Sequence, residues 1–219
     1  MIDLNKYNFH DLTRTYDAEV AGYSWETARE INKDGWNARW LRLYSHAGTH
    51  MDAPRHFAVN DVGIEDYHPE QLMGKAWLID APATEDRTLL DVDCLASVTE
   101  HFVSGDSLLF RTGWDQHFPQ PRFRNGLPRI SAPLARWCVD HQVKMLGVEG
   151  PSVADVNDLE EVTDIHRILL GGKVIIVEGL INLEKIRAAA ITLIALPLKL
   201  RQGDGSPARV IALEPRTDH

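Results

Sequence analysis

The stretch Asn157–Glu178, with the sequence NDLEEVTDIHRILLGGKVIIVE, contains a helical pattern followed directly by a strand pattern. Its first part, Asn157–Leu170, is predicted to be a helix, and Gly171-Gly172 supplies the stop signal. Its last part, Lys173–Val177, is a short run of β-branched residues of the kind that forms a buried strand. Helices and strands that alternate in this way are typical of an α/β fold.

Further segments of both kinds occur along the chain, and the sequence predicts a single domain over residues 1–219 with a mixed sheet. Ser131 resembles an N-cap for the helix Leu134–His141, with a proline in its first turn. Leu89–Val98 is a third helix candidate, and Pro119–Pro128 is predicted to be a surface loop. The other predicted strands are Lys75–Asp80, Ser107–Arg111, Met145–Val148, Ala190–Ala195 and Ala208–Ala212.

The composition limits the classes of partner. The 219 residues are 44% hydrophobic and 25% charged, which is ordinary for a globular protein and excludes a disordered or fibrous chain. The net charge of −9 makes nucleic acid and anionic membrane surfaces poor partners. No apolar run reaches the roughly 20 residues of a membrane span, and the opening MIDLNK lacks the layout of a signal peptide. With only two isolated cysteines, Cys94 and Cys138, the chain is predicted to be cytoplasmic.

The N-terminal segment, residues 1–40, is less regular and holds three of the six tryptophans, Trp25, Trp36 and Trp40. Three interpretations stay open for these side chains. They could cover a pocket, contact a partner subunit, or belong to ordinary packing.

Residues 45–57, SHAGTHMDAPRHF, concentrate side chains that bind metals. An ideal strand would separate His46 from His50 by roughly 13 Å, too far for both to hold one ion. The chain must therefore bend here, and Gly48 and Pro54 would allow it to do so. Imidazole and carboxylate ligands together suit Zn²⁺, Mn²⁺ or Fe²⁺ rather than Ca²⁺ or Mg²⁺. The four candidates are His46, His50, Asp52 and His56.

Two later residues could complete such a site. Glu178 follows a buried strand, where a carboxylate is costly unless it is paired or bound to metal. His166 lies in the predicted helix before that strand. The alternatives are a salt bridge for Glu178 and an ordinary helix position for His166. Taken together, the side chains predict one or two divalent ions per chain, Zn²⁺ or Mn²⁺, with one carboxylate able to bridge them.

The segment 46–57 resembles the His-x-Gly-Thr-His-x-Asp-x-Pro-x-His signature of the cyclase family of metal-dependent hydrolases, which includes bacterial kynurenine formamidases and isatin hydrolases. The resemblance implies a compact α/β domain around a mixed, partly barrel-like sheet, assembled as a homodimer or homotetramer. It covers most of the chain from about residue 40 onward, through GVEGPS (147–152), His166, VEGL (177–180) and ALPL (195–198).

The resemblance also implies roles for individual residues. His46, His50 and Asp52 match positions that bind one metal, and His166 and Glu178 match the ligands that complete a second. His56 matches an acid/base histidine. Three features depart from the family pattern: Ala21-Gly22-Tyr23 replaces a common Pro-Gly-Asp, Glu149 replaces a common Asp, and no secure aromatic counterpart holds a kynurenine ring. The candidates for substrate contact are Val20, Tyr23 and Ser152.

These observations predict a hydrolase that cleaves a C–N bond of a small amide with metal-activated water, His56 moving the proton. N-formylkynurenine, on the route from tryptophan to kynurenine, isatin and lactams are the leading substrates. The absence of a Gly-x-Ser-x-Gly motif argues against a serine hydrolase. Two alternatives remain: a metal-dependent dehydratase or cyclase acting on a small carbonyl acid, and a non-catalytic metal-binding protein.

Overall fold

The computed structural model describes residues 3–216, so Met1, Ile2 and 217–219 lie outside the described residues. All six predicted strands are present, and three of them are longer than their apolar runs. The first six strands are β1 (Tyr7–Asp11), β2 (Tyr23–Arg29), β3 (Ala38–Leu43), β4 (His50–Asp52), β5 (Met73–Asp80) and β6 (Leu89–Leu90). The other six are β7 (Ser107–Arg111), β8 (Arg129–Ile130), β9 (Met145–Val148), β10 (Ile175–Glu178), β11 (Ala190–Pro197) and β12 (Gly205–Pro215).

Helices are few in the described part of the chain: α1 (Ile31–Asp34), α2 (Pro121–Asn125), α3 (Ala132–Asp140) and α4 (Leu159–Gly171). The predicted N-cap of α3 is confirmed, because the Ser131 hydroxyl accepts a hydrogen bond from the amide of Leu134 at 3.1 Å. At α4 the Asp158 carboxylate caps the amides of Glu160 and Glu161, and Gly172 ends the helix as predicted.

The main sheet closes on itself. Its ring runs β12-β11-β5-β7-β9-β10-β4 and returns to β12, while β1 pairs outside the ring along β12. Strands β5, β7, β9 and β10 are mutually parallel, and the remaining pairs of the ring are antiparallel. The predicted mixed, barrel-like sheet is confirmed.

Alternate residues of the parallel strands pack on the two faces of this barrel. In β7, Leu108 and Phe110 contact the layer of α3 and α4, whereas Leu109 points into the barrel core. In β10, Ile176 joins the helical layer, and Ile175 and Val177 join the core. Burial on both faces explains why these strands are continuous apolar runs rather than alternating ones.

Two local predictions were wrong. Leu89–Val98 is not a helix: Leu89 and Leu90 pair with β8, and a 3-10 turn follows over Val92–Leu95. The Asp91 carboxylate accepts a hydrogen bond from the amide of Val92, which favours a turn at this point. Pro119–Pro128 is not purely a loop, since Pro121 occupies the first turn of α2.

The hairpin β2–β3 forms a separate two-stranded sheet. Its tryptophans are exposed: the exposed fraction of the residue is 45% for Trp25, 58% for Trp36 in the connecting segment and 72% for Trp40. Ordinary packing therefore does not describe them. In residues 3–216 no helix has both the length and the apolarity needed to cross a membrane.

Candidate metal centre

The segment around β4 bends at the two predicted points. Gly48 adopts a left-handed conformation with φ of +59°, which turns the chain between His46 and His50. After β4, Pro54 opens a 3-10 helix over Pro54–Phe57 that carries His56 back toward the strand. The four predicted ligands therefore lie together, although an extended chain would spread them apart.

The later candidates reach the same place from the other elements. Strand β10 pairs antiparallel with β4 so that Glu178 lies directly opposite His50. The amide of Val153 donates a hydrogen bond to Glu178 Oε1 at 2.8 Å and holds the carboxylate in place. His166 projects from α4, and its Nε2 lies 3.5 Å from both Asp52 Oδ2 and Glu178 Oε1.

The glycine after Glu178 permits the close approach of the two metal-site segments. Gly179 has φ of +69°, and a Cβ at this position would collide with the carbonyl oxygen of Gly48. A side chain at Gly179 would therefore push β10 away from the turn that precedes β4.

Two of the histidines have Nδ1 oriented by a backbone carbonyl. His50 Nδ1 lies 3.0 Å from the carbonyl oxygen of Gly48, and His166 Nδ1 lies 2.6 Å from that of Val162. Because a carbonyl oxygen only accepts hydrogen bonds, each Nδ1 carries the proton. Burial alone would lower the pKa of both histidines, but the hydrogen bond and charge of Glu178, with the charge of Asp52, raise it. The Nε2 atoms face these carboxylates, with His50 Nε2 3.0 Å from Glu178 Oε2. Histidines that bind metals are oriented in the same way.

His46 bridges two carboxylates. Its Nδ1 lies 2.9 Å from Asp52 Oδ1, and its Nε2 lies 3.1 Å from Asp204 Oδ2. Burial alone would lower the pKa of His46, but the hydrogen bonds and charges of these two aspartates raise it to about 9.

His56 is placed differently from the other three histidines. Its ring stacks on that of His46 with 3.8 Å between centroids, and its Nδ1 is 3.9 Å from Asp204 Oδ2. Burial, together with the nearby His46 and His166, outweighs the charge of Asp52 and lowers the pKa of His56. An imidazole that is neutral at physiological pH can accept a proton, as a general base must.

The donors fit a divalent cation. Asp52 is fully buried, and its Oδ2 has no hydrogen-bond partner in the described structure. A buried, unpaired carboxylate oxygen is costly, and a cation beside it would remove that cost. Two sets of ligand atoms lie within 4.8 Å of one another: those of His50, Asp52 and Glu178, and those of His46, Asp52 and His56. Asp52 is common to both sets, as a bridging carboxylate would be.

The cluster opens into a cavity of about 540 Å³, large enough for a small organic molecule. Val20 and Ser152 line it, but Tyr23 does not and instead packs edge-on against Tyr16. None of the three N-terminal tryptophans belongs to the lining. The other lining side chains include Arg14, Tyr44, His46, His50, His56, Phe57, Phe118, Phe123, His166 and Glu178.

Glu149, at the position where the family commonly has aspartate, lies outside that lining. Its Oε2 accepts hydrogen bonds from the amide of Thr112 at 2.8 Å, from the Thr112 hydroxyl at 2.6 Å and from the amide of Trp114 at 3.1 Å. Burial raises the pKa of Glu149 above its usual value. The side chain ties the end of β7 to the segment that follows it.

Three residues of the site were missed by the sequence interpretation. Asp204 contacts His46, and Arg14 and Phe118 line the cavity. Asp204 stands between two glycines ahead of β12, and this loop pattern was the only available signal. Arg14 and Phe118 lie in unpatterned segments that only the closed sheet brings together.

The fold is an α/β barrel, and its buried set of nitrogen and oxygen donors fits a divalent cation. A family model described as "Putative cyclase" matches residues 10–155, which is more than half of the chain. The chain belongs to this family.

Individual relatives are similar over most of the chain. Cyclase-like protein 3 of Oryza sativa subsp. japonica is 32% identical over 98% of this chain and 80% of its own length. A kynurenine formamidase of Erythrobacter litoralis is 31% identical over 81% of this chain and 77% of its own length. Among solved structures, isatin hydrolase A from Labrenzia aggregata, bound to benzyl benzoate, superposes with a TM-score of 0.88 at 22% identity. That superposition covers 97% of this chain and 95% of the other.

Proposed function

We propose that the protein is a metal-dependent hydrolase that cleaves the C–N bond of a small amide. The observation that carries the proposal is the buried cluster of His46, His50, Asp52, His166 and Glu178, which opens into the cavity beside His56. Relatives named kynurenine formamidase support amide hydrolysis as the reaction class. A formamide such as N-formylkynurenine, or a cyclic amide such as isatin or a lactam, is the proposed substrate.

Different side chains of the chain would bind the metal, transfer the proton and exclude water. His46, His50, Asp52, His166 and Glu178 would hold one or two divalent ions, Zn²⁺ or Mn²⁺. Such an ion supplies a Lewis acid and lowers the pKa of water toward neutrality. His56, which has no backbone carbonyl fixing its tautomer in the described structure, would take the proton from water and pass it to the leaving nitrogen. Phe57, Phe118 and Phe123 provide apolar walls that exclude bulk water.

The proposal is tested with protein loaded with Zn²⁺ or Mn²⁺ and assayed on N-formylkynurenine, isatin and a γ-lactam. Hydrolysis of at least one of them, abolished by chelator and restored by the metal, is the expected result. No turnover of any of the three by metal-replete protein would overturn it.

Product analysis in ¹⁸O-labelled water decides between hydrolysis and the dehydratase or cyclase alternative. Hydrolysis incorporates one labelled oxygen into the acid product. A cyclisation or dehydration, by contrast, consumes no water and leaves the product unlabelled.

The exposed tryptophans of the β2–β3 hairpin support a second proposal, that copies of the chain associate as a homodimer or homotetramer. Trp25 and its partner Leu41 lie on one face of the hairpin and Trp40 on the other, and all three are exposed. Large apolar side chains exposed on both faces of a hairpin favour contact with another apolar surface.

A further inference from the structure

Arg14 reaches the cavity from a backbone position that is tied to both metal-site strands. Its amide donates a hydrogen bond to Thr49 Oγ1 at 2.8 Å, and that hydroxyl donates to the carbonyl oxygen of Gly179 at 2.7 Å. Thr49 directly precedes His50, and Gly179 directly follows Glu178. The position of Arg14 relative to the cation site is therefore fixed by the barrel and not by a free loop.

The side chain of Arg14 lies against aromatic rings of the cavity wall. Its guanidinium carbon is 4.0 Å from the ring centroid of Phe118 and 5.3 Å from that of Phe123. The two rings meet edge-on, 5.5 Å apart. One wall of the cavity is thus formed by Arg14, Phe118 and Phe123. The same cavity is also lined by His46 and His56.

The charge of this guanidinium is not satisfied within the chain. Nε and Nη2 of Arg14 are buried, and neither has a hydrogen-bond partner among residues 3–216. Asp115 and Asp17 act on it only at a distance, without forming an ion pair in the described structure. Burial lowers the pKa of Arg14, but an arginine stays protonated at neutral pH. A buried cation without a partner is costly, and an anion bound beside it would remove that cost.

We propose that Arg14 binds a carboxylate of the substrate, so that the amide hydrolysed at the cation site is an anionic one. The planar fork of a guanidinium matches a carboxylate with two parallel hydrogen bonds. Phe118 and Phe123 beside it suit an aromatic ring that bears the carboxylate. The net charge of −9 weakens long-range attraction of anions but does not prevent a contact inside the cavity. The inference rests on the proposed hydrolase function and names the substrate class of the same site.

The test compares two formamides that differ only by the carboxylate, N-formylanthranilate and formanilide. For the unchanged protein we expect kcat/KM to be about 10- to 100-fold higher for N-formylanthranilate, the range that charge-assisted hydrogen bonds support. Arg14→Met should remove this preference mainly through KM. The loss should be larger for N-formylanthranilate than for formanilide, because formanilide makes no contact with the guanidinium charge.

Two further variants control the interpretation. Arg14→Lys keeps the positive charge but loses the planar pair of guanidinium donors. It should retain only part of the preference for N-formylanthranilate over formanilide. Arg39→Met removes another guanidinium that stacks on an aromatic ring, 3.7 Å from the Trp25 centroid and outside the cavity lining. It should keep the full preference for the anionic substrate. Thermal unfolding of each variant shows whether the change has altered the fold itself.

Calorimetric binding of anthranilate and of aniline separates this inference from the proposed function. Tighter binding of anthranilate that Arg14→Met abolishes would support the carboxylate site even if neither formamide were hydrolysed. Hydrolysis of both formamides with equal kcat/KM would overturn the role of Arg14 and leave the hydrolase function standing. Equal binding of anthranilate and aniline to the unchanged protein would also overturn it.

Discussion

Two regions of the molecule, the cation site and the β2–β3 hairpin, use polar and apolar side chains in opposite ways. At the cation site, two carboxylates and two histidines are buried to 3% exposure or less inside a barrel of apolar strands. On the β2–β3 hairpin, Trp25, Trp36 and Trp40 face solvent. Each arrangement is unfavourable for an isolated chain, because buried charges and exposed aromatics both cost free energy. The difference supports the two proposals: a cation would neutralise the first region, and an apolar surface would cover the second.

The largest expected effect comes from removing the carboxylate that both ligand sets share. Asp52→Ala should lower kcat/KM on the accepted substrate by about 10⁴-fold or more and reduce the bound metal. The hairpin variant Trp40→Ser, assayed for metal by the same elemental analysis, should keep the full content. Normal metal content in Asp52→Ala would show that the buried cluster is not a cation site.

His56 should behave differently from the ligands around it. His56→Asn is expected to lower kcat by about 10²- to 10⁴-fold, since the proton transfer is lost, while metal content stays near that of the unchanged protein. Metal analysis and kinetics on the same preparation check the metal content and the fall in kcat together. If His56→Asn loses metal as His50→Ala would, His56 is a ligand, in line with its place beside His46 and Asp52.

The pKa of His46 predicts how chelated, metal-free protein responds to pH. Its folded-state pKa, raised to about 9, exceeds the unfolded value of about 6.5, so its protonated form stabilises the fold fully below about pH 6.5. That stabilisation, at most roughly 3 kcal/mol, is lost as the pH rises toward 9.

Thermal unfolding scans of chelated protein between pH 6 and 9 test this dependence. The difference in Tm between the unchanged protein and His46→Gln should shrink by several degrees across that range. A difference that is constant or grows with pH would show that His46 is not held protonated by Asp52 and Asp204.

The smallest effect on stability is expected on the hairpin. Trp40→Ser should change the free energy of unfolding by about 0.5 kcal/mol or less in a dissociated chain, because the side chain is 72% exposed. It should nevertheless shift sedimentation toward smaller species if copies associate through the hairpin. Leu159→Ser, at an exposed apolar position on α4, is the matched control and should leave sedimentation unchanged. Identical sedimentation of Trp40→Ser and the unchanged protein would exclude the hairpin as the contact.

Local patterns were sufficient for much of the fold. Ser107–Arg111 and Met145–Val148 were predicted with the observed bounds, because both faces of these strands are buried and the apolar run equals the strand. Leu89–Val98 was mispredicted as a helix because Leu89 and Leu90 obtain their hydrogen bonds from β8, about forty residues away. No local pattern contains that partner.

The sequence alone determined which side chains could hold a cation and where the chain must bend between them. Spacing and residue chemistry suffice for that, since His46, His50, Asp52 and His56 lie within eleven residues and need only the turns at Gly48 and Pro54. The tertiary structure alone decided that Glu178 lies opposite His50, that Asp204 contacts His46, and that Arg14 lines the cavity and buries two nitrogens without a hydrogen-bond partner in the described structure. These relations depend on the closure of the sheet, which pairs His50 with Pro207, 157 residues further along the chain, in a way that no local pattern encodes.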